Sequence, residues 1–236
     1  MLKRISDIAT FIVIASIVLV GTTPSHAQEI SLIRDQEIEN TIRLFAAPVF
    51  KIAGLEPSAV KIHLVKDNSL NAFVAGGQRL FINTGLITQA KSASQIIGVI
   101  AHETGHIAGG HLARFKKVFE NNTALTILSI VLGAGAIAAG QGEAGGLIIA
   151  AGQGIAQQNY LRYSQTQESA ADHAALKYLD QSEQSAKGLL DFMNLLGEQE
   201  LLVPGYQDPY VRTHPLTRDR VASITSHVSN SPHSAK

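Results

Sequence analysis

The chain of 236 residues is long enough for one domain with a filled core, or at most two small ones. With 45% hydrophobic and 16% charged residues it reads as globular, towards the apolar end of the ordinary range. Nineteen basic residues balance nineteen acidic ones, so the basic footprint of a nucleic-acid binder is absent. The lack of cysteine excludes disulfides and cysteine-linked lipids.

Lys3 and Arg4 precede a 13-residue apolar run, Ile8 to Val20, and a polar stretch ending in "SHAQ". This is the layout of a secretory signal, with Ser25 and Ala27 as the small residues before the cut. The run is short for a bilayer span, so cleavage after Ala27 is expected in preference to an anchor. Residues 28–228 then form an exported, periplasmic domain with a net charge near neutrality, and residues 229–236 a disordered tail.

From Asp35 to Ile52, Ile38, Ile42, Phe45, Val49 and Ile52 recur at helical spacing, with Gly54 and Pro57 as stops. "AVKIHLVKD" alternates like a half-buried strand, and "NAFVAGGQRLFINTGLI" predicts two more strands around Gly76-Gly77. Ser92 or Ser94 can cap a helix that begins near Gln95 and runs on through "AHETGHIAGGHLARFKKVFEN". A Gly-, Ala- and Ile-rich segment, Thr123 to Gln158, has eight glycines between Gly133 and Gly154 and one charge, Glu143. Helices over Asn159–Leu179, Ser185–Leu196 and Thr217–Thr225 follow, with "VPGYQDPYVRTHPL" as a proline-rich loop. This order predicts an α+β domain with a small sheet.

Residues four apart on a helix lie about 40° apart around its axis, so His102 and His106 face the same way. Two such imidazoles can hold one zinc ion, and Glu103 beside them can take a proton from water. The apolar flank of Ile96, Ile97, Val99, Ile100 and Ile107 buries this stretch, where an unpaired carboxylate would be costly. A third ligand is needed. On a continuing helix His111 is about 140° from His106 and is excluded, which makes it structural or superficial. Glu168 in "QESAAD" can complete a two-histidine, one-glutamate set, with Asp172 one turn on to accept a ligand ring N–H. The plainer alternative is two solvent-facing acids.

"NAFVAGGQRLFINTGLI", "HETGHIAGGHLAR", "ESAAD" and "THPLTRDR", in that order from about Asn71 to Arg220, resemble peptidase family M48, and its exported members most. The resemblance implies a mainly helical zincin-type (gluzincin) domain with a small β-sheet beside the active-site helix. It implies one Zn²⁺ per chain on His102, His106 and Glu168, with Glu103 as general base and Asp172 behind a ligand. "HPxxxxR" maps onto His214 and Arg220; His214 is implied to contact the oxyanion or to plug the zinc reversibly. From the residues alone His214 is a loop histidine. Arg220 is placed to pair with a buried carboxylate such as Asp172.

Asn71, Ala72, Phe73 and Val74 are expected to bind substrate as a sheet-edge strand; an ordinary core strand is the alternative. The family pattern "YSR" reads "YSQ" here, with Gln165 for arginine. Exported relatives carry a helical-repeat domain after the catalytic one, and a form without it is expected. The function implied is endopeptidase action on unfolded or misassembled polypeptides of the cell envelope. The alternative is a zinc-bound chaperone with a plugged, mostly silent site. Residues 124–156 read either as soluble helices in close contact or as a membrane-touching hairpin. Their glycines favour a soluble or surface-associated form over a spanning one.

Overall fold

Asp35 starts the first helix, α1 (Gln36–Ile52), by accepting from the backbone N–H groups of Glu37 and Ile38 at 3.1 Å each. Glu37 and Glu39 in the first turn and Lys51 in the last suit the helix dipole. The computed structural model describes residues 31–202 and 209–234; the expected signal segment 1–27 lies outside the described residues.

Four strands, β1 (Leu32–Ile33), β2 (Lys61–Val65), β3 (Ala72–Ala75) and β4 (Arg79–Asn83), form one sheet in the order β1-β2-β4-β3. β2 and β4 run parallel; the outer pairs are antiparallel. Gly76 and Gly77, at φ 55° and 93°, make the β3–β4 turn in a region that L side chains avoid. β3 is therefore an edge strand with one side unpaired within the sheet.

The remaining elements are helical: α2 (Thr84–Gln89), α3 (Ala93–Ala108), α4 (His111–Ala138), α5 (Gly142–Gln181), α6 (Lys187–Leu202), α7 (Pro209–Thr213) and α8 (Arg218–Asn230). α3 is the central beam. Val99 and Ile100 join the cluster of Phe50, Leu64, Leu80, Ile82 and Leu86 on the sheet side. Ala101 faces a second cluster with Ala175, Leu179, Leu189, Met193 and Ile224. A helix covered on both sides has its middle turns, Gly98 to His106, buried.

Several expectations change. The long helix predicted from Gln95 breaks at Gly109-Gly110, where Gly110 takes a left-handed φ of 62° and the Gly109 N–H closes α3 on the Gly105 carbonyl. The strand reading of "NTGLI" fails because Thr84 opens α2. The glycine-rich segment does not stop helix formation. Gly145 and Gly152 face α4, and α5 continues unbroken into the helix expected from Asn159. Ser92 occupies the N-cap of α3, but its hydroxyl meets Ser94 Oγ at 2.8 Å and caps nothing. Part of the proline-rich loop is helical, as Pro209 supplies the φ and missing N–H that suit a first helical residue. In the tail, residues 229 and 230 complete α8, and the Ser231 hydroxyl donates to Asp180 at 2.8 Å.

The α3–α6 crossing depends on Gly98. A Cβ there would lie 2.6 Å from the Leu189 backbone nitrogen. Gly98→Ala is expected to destabilise the fold by about 1–3 kcal/mol through overpacking, read as a lower urea midpoint. An unchanged midpoint would mean the crossing yields freely.

Candidate metal centre

His102 and His106 stand one turn apart on the buried middle of α3, and α5 lies across them. Gly105 permits that approach, since a Cβ on it would meet the Ala171 carbonyl oxygen at 2.8 Å. The contact brings Glu168 and Asp172, one turn apart on α5, up to the two rings. His214 comes from the far end of the chain. Its backbone N–H donates to the Tyr210 carbonyl at 2.7 Å, which holds it against the last turn of α7.

Four buried side chains converge here: His102, His106, Glu168 and His214 each bring a donor atom, all within 4.8 Å of one another. The Nε2 atoms of His102 and His106 are 3.1 Å apart. Glu168 Oε2 is 3.3 Å from the former and Oε1 is 3.3 Å from the latter. His214 Nδ1 lies 3.4 Å from His102 Nε2 and 3.1 Å from Glu168 Oε1. Bonds of about 2.0–2.1 Å to a tetrahedral ion require donor separations of about 3.3 Å. The group therefore has the size and donor chemistry for a first-row divalent ion.

Glu103 is completely buried, and neither of its oxygens has a hydrogen-bond partner among the described residues. His214 Nε2 lies 3.5 Å from Oε1. Burial pushes this carboxyl above its ordinary pKa, while His214 and His102 pull it back. A lone-pair-rich group left unpaired in the interior is costly unless an ion or water completes its surroundings.

Each ligand ring is held from behind. His102 Nδ1 lies 2.8 Å from Asp172 Oδ1, which fixes Nε2 as the atom free to coordinate. Arg220 grips Asp172 with two hydrogen bonds, Nε to Oδ2 at 2.6 Å and Nη2 to Oδ1 at 2.9 Å. Its Nη1 also reaches Glu168 Oε2 at 3.0 Å and donates to the Pro215 carbonyl at 2.9 Å. Burial opposes charge on Asp172, but Arg220 and His102 outweigh it and hold its pKa at about 2. Burial also opposes a charge on His102, yet Asp172 and Glu168 raise its pKa to about 10. Burial lowers that of His106 to about 3.

His111, expected to be structural or superficial and not a ligand, takes a structural place through a geometry that differs from the one expected. The Gly110 turn swings it back so that its Nδ1 lies 2.9 Å from His106 Nδ1, and its ring is buried. It is not among the four converging donors, but it is not superficial; it holds the outer nitrogen of His106. The "GG" before it was the available signal. Tyr210 was also overlooked. Its ring stacks on His214 with centroids 4.5 Å apart, and its spacing of four from His214 was the clue.

The cluster opens on a cavity of about 360 Å³ bordered by Phe73, Val74, Glu103, His106, Tyr163 and His214. Phe73 and Val74, half exposed on edge strand β3, face this cavity, and Phe73 stacks on Phe81 at 4.9 Å. Asn71 and Ala72 are buried and do not border it.

Asp172→Ala and His111→Ala are each expected to weaken metal binding by about 10–100-fold, measured by competition with a chromophoric chelator. Unchanged affinity in either variant would show that the contact does not orient its ring.

Residues 33–228 match peptidase family M48. The chain is 26% identical over 172 residues to the beta-barrel assembly-enhancing protease of Yersinia pestis, covering 72% of this chain and 35% of that protein. It is 26% identical over 174 residues to the metalloprotease LoiP of Escherichia coli K12, covering 74% and 64%. To the mitochondrial metalloendopeptidase OMA1 of Schizosaccharomyces pombe it is 25% identical over 179 residues, covering 75% and 49%. The chain spans about a third of the length of the assembly-enhancing proteases it matches. With the match running through almost all of the described residues, the chain belongs to peptidase family M48, a metallopeptidase family whose divalent ion suits the cluster of His102, His106, Glu168 and His214.

Proposed function

We propose that the protein is a zinc-dependent endopeptidase that hydrolyses unfolded or misassembled polypeptides in the cell envelope, as an exported enzyme of protein quality control. The observation that carries this is Glu103, a fully buried carboxylate without a hydrogen-bond partner among the described residues, set beside three imidazoles and a carboxylate whose donor atoms lie within 4.8 Å of one another. In this reading His102, His106 and Glu168 hold the ion. When bound, zinc supplies a Lewis acid that polarises the scissile carbonyl and raises the acidity of water at neutral pH.

Glu103 takes the proton of the attacking water and passes it to the leaving amine. Burial, which raises the Glu103 pKa, makes it a better base for that transfer. Asp172 keeps His102 in the coordinating tautomer, and Arg220 keeps Asp172 charged. His214 lies where a fourth donor belongs, so it plugs the site in the resting form. Displaced, its imidazole is close enough to donate to the developing oxyanion. Substrate adds to the free side of β3 as another strand, recognised mainly through its main chain. Extended, unfolded segments suit that mode, and relatives named for β-barrel assembly support a role in protein assembly.

A second reading draws on His214. With that ring in the fourth corner the site is closed at rest, and holding unfolded envelope proteins without cutting them becomes the everyday activity.

Glu103→Gln is expected to retain one zinc per chain and to lower casein cleavage by about 10²–10⁴-fold, the usual worth of a general base. Chelation of the parent protein is expected to have the same effect, reversed by added zinc. Normal cleavage by the Gln variant would refute the assignment of Glu103. Suppression of client aggregation by an otherwise inactive parent would favour the holding role.

A further inference from the structure

The helical hairpin of α4 and α5 is built in reverse for a water-soluble pair. Two helices joined by a short turn in water put their large apolar residues against each other and small or polar ones outside. Here the contact is made by Ser129 and Gly133 of α4 and Gly145 and Gly152 of α5, all buried. A Cβ on Gly133 would lie 2.6 Å from the Gly145 carbonyl oxygen, so the two backbones touch. The large side chains face outwards: Val131 is 62% exposed, Leu132 55% and Leu147 66%.

The exposed face is too broad for one flat partner. At 100° per residue, Ile127, Leu128, Ile130, Val131 and Leu132 cover an arc of about 200° around α4, with Ser129 and Gly133 in the remaining sector. Such a surface fits a solvent that wraps the helix. Small residues between helices and aliphatic ones around them are the pattern of helices packed in lipid.

Charge and length point the same way. Between Asn121 and Leu161 the sequence has one charge, Glu143, and it sits at the turn. Asn121–Ala138 is 18 residues, about 27 Å of helix, against about 30 Å of hydrocarbon in a bilayer. At the base, Arg114, Lys116, Lys117 and Arg162 are exposed, with Glu120 as the opposing charge, 4.0 Å from Lys116. A basic collar beneath an uncharged rod complements an anionic head-group layer.

We propose that the α4–α5 hairpin inserts into a lipid bilayer to about the depth of its hydrocarbon, with the turn around Gln141 and Glu143 at the opposite head-group layer. Against the surface-associated form that glycine content favours, the helices satisfy their backbones internally, and Gly133, Gly145 and Gly152 are used in mutual contact. Leu112 and Phe115, at the root of the hairpin, border the cavity that contains Glu103 and His106. The insertion therefore seats that cavity at the membrane surface, in reach of polypeptide segments lying on or leaving the bilayer. This last step rests on the peptidase reading; the insertion itself does not.

The test uses the full chain, purified in detergent and mixed with vesicles of phosphatidylethanolamine and phosphatidylglycerol at 3:1. The absence of native cysteine allows Leu132→Cys and Lys51→Cys to be labelled singly with an environment-sensitive dye. The protein is expected to float with the vesicles. The dye at 132 is expected to shift to the blue and be quenched by mid-chain spin-labelled lipid, and that at 51 to do neither. Leu132→Glu with Ile148→Glu is expected to lower partitioning by about a hundredfold or more, since one charge at a helix centre costs about 2.5–3.5 kcal/mol. Its thermal transition and metal content are expected to match the parent's, which separates lost insertion from lost folding. Protein that stays unbound with a water-exposed dye at 132 overturns the proposal. So does a blue shift without vesicles at doubled molecular mass, which would assign the surface to a second copy. Inactivity on casein with normal flotation would count against the peptidase reading alone.

Discussion

The close contact of α3 and α5 at Gly105 and Ala171 is the constraint on which the rest of the molecule depends. It brings two carboxylates within bonding distance of two imidazoles that the other side of α3 has already fixed against the sheet. Without it Glu168 and Asp172 would be ordinary acids on a helix surface. With it they are buried, and every buried charge needs a partner. Arg220 fills that need for both, spanning Asp172, Glu168 and the Pro215 carbonyl. One guanidinium thus joins α5 to the segment that carries His214.

This arrangement is stable only as a set. Glu168 draws contacts from His102, His106 and His214, and Asp172 from His102 and Arg220. Within such a network the removal of one member leaves the others unpaired in the interior, so the effects of single changes do not add. Glu103 is the exception among its neighbours. Its oxygens have no hydrogen bonds among the described residues, while the adjacent carboxylates are tied down.

Much of the centre was legible in the sequence because helical spacing is a local property. Four-residue intervals put His102 beside His106 and Glu168 beside Asp172, whatever the tertiary fold. That α5 meets α3 at all was not legible from spacing; it entered through the resemblance of separated motifs. His111 stays outside the converging donors, but not for the reason its spacing suggested. Its exclusion assumed a continuous helix, and a single left-handed residue, Gly110, invalidates the angle on which it rested. The glycine-rich segment was ambiguous for a related reason. Glycines weaken a helix in isolation but strengthen a pair when their missing side chains become contact surface, and sequence does not reveal the pairing. The short β1 and α2 were missed because two and six residues are too few to show a period.

Gly110 has a second consequence. α4 is 28 residues, about 42 Å long, and His111 is its first member. The residue that starts the long helix is also the one whose ring meets His106, 2.9 Å away. The left-handed turn at Gly110 therefore sets both the direction in which the hairpin leaves the domain and the orientation of an imidazole in the cluster.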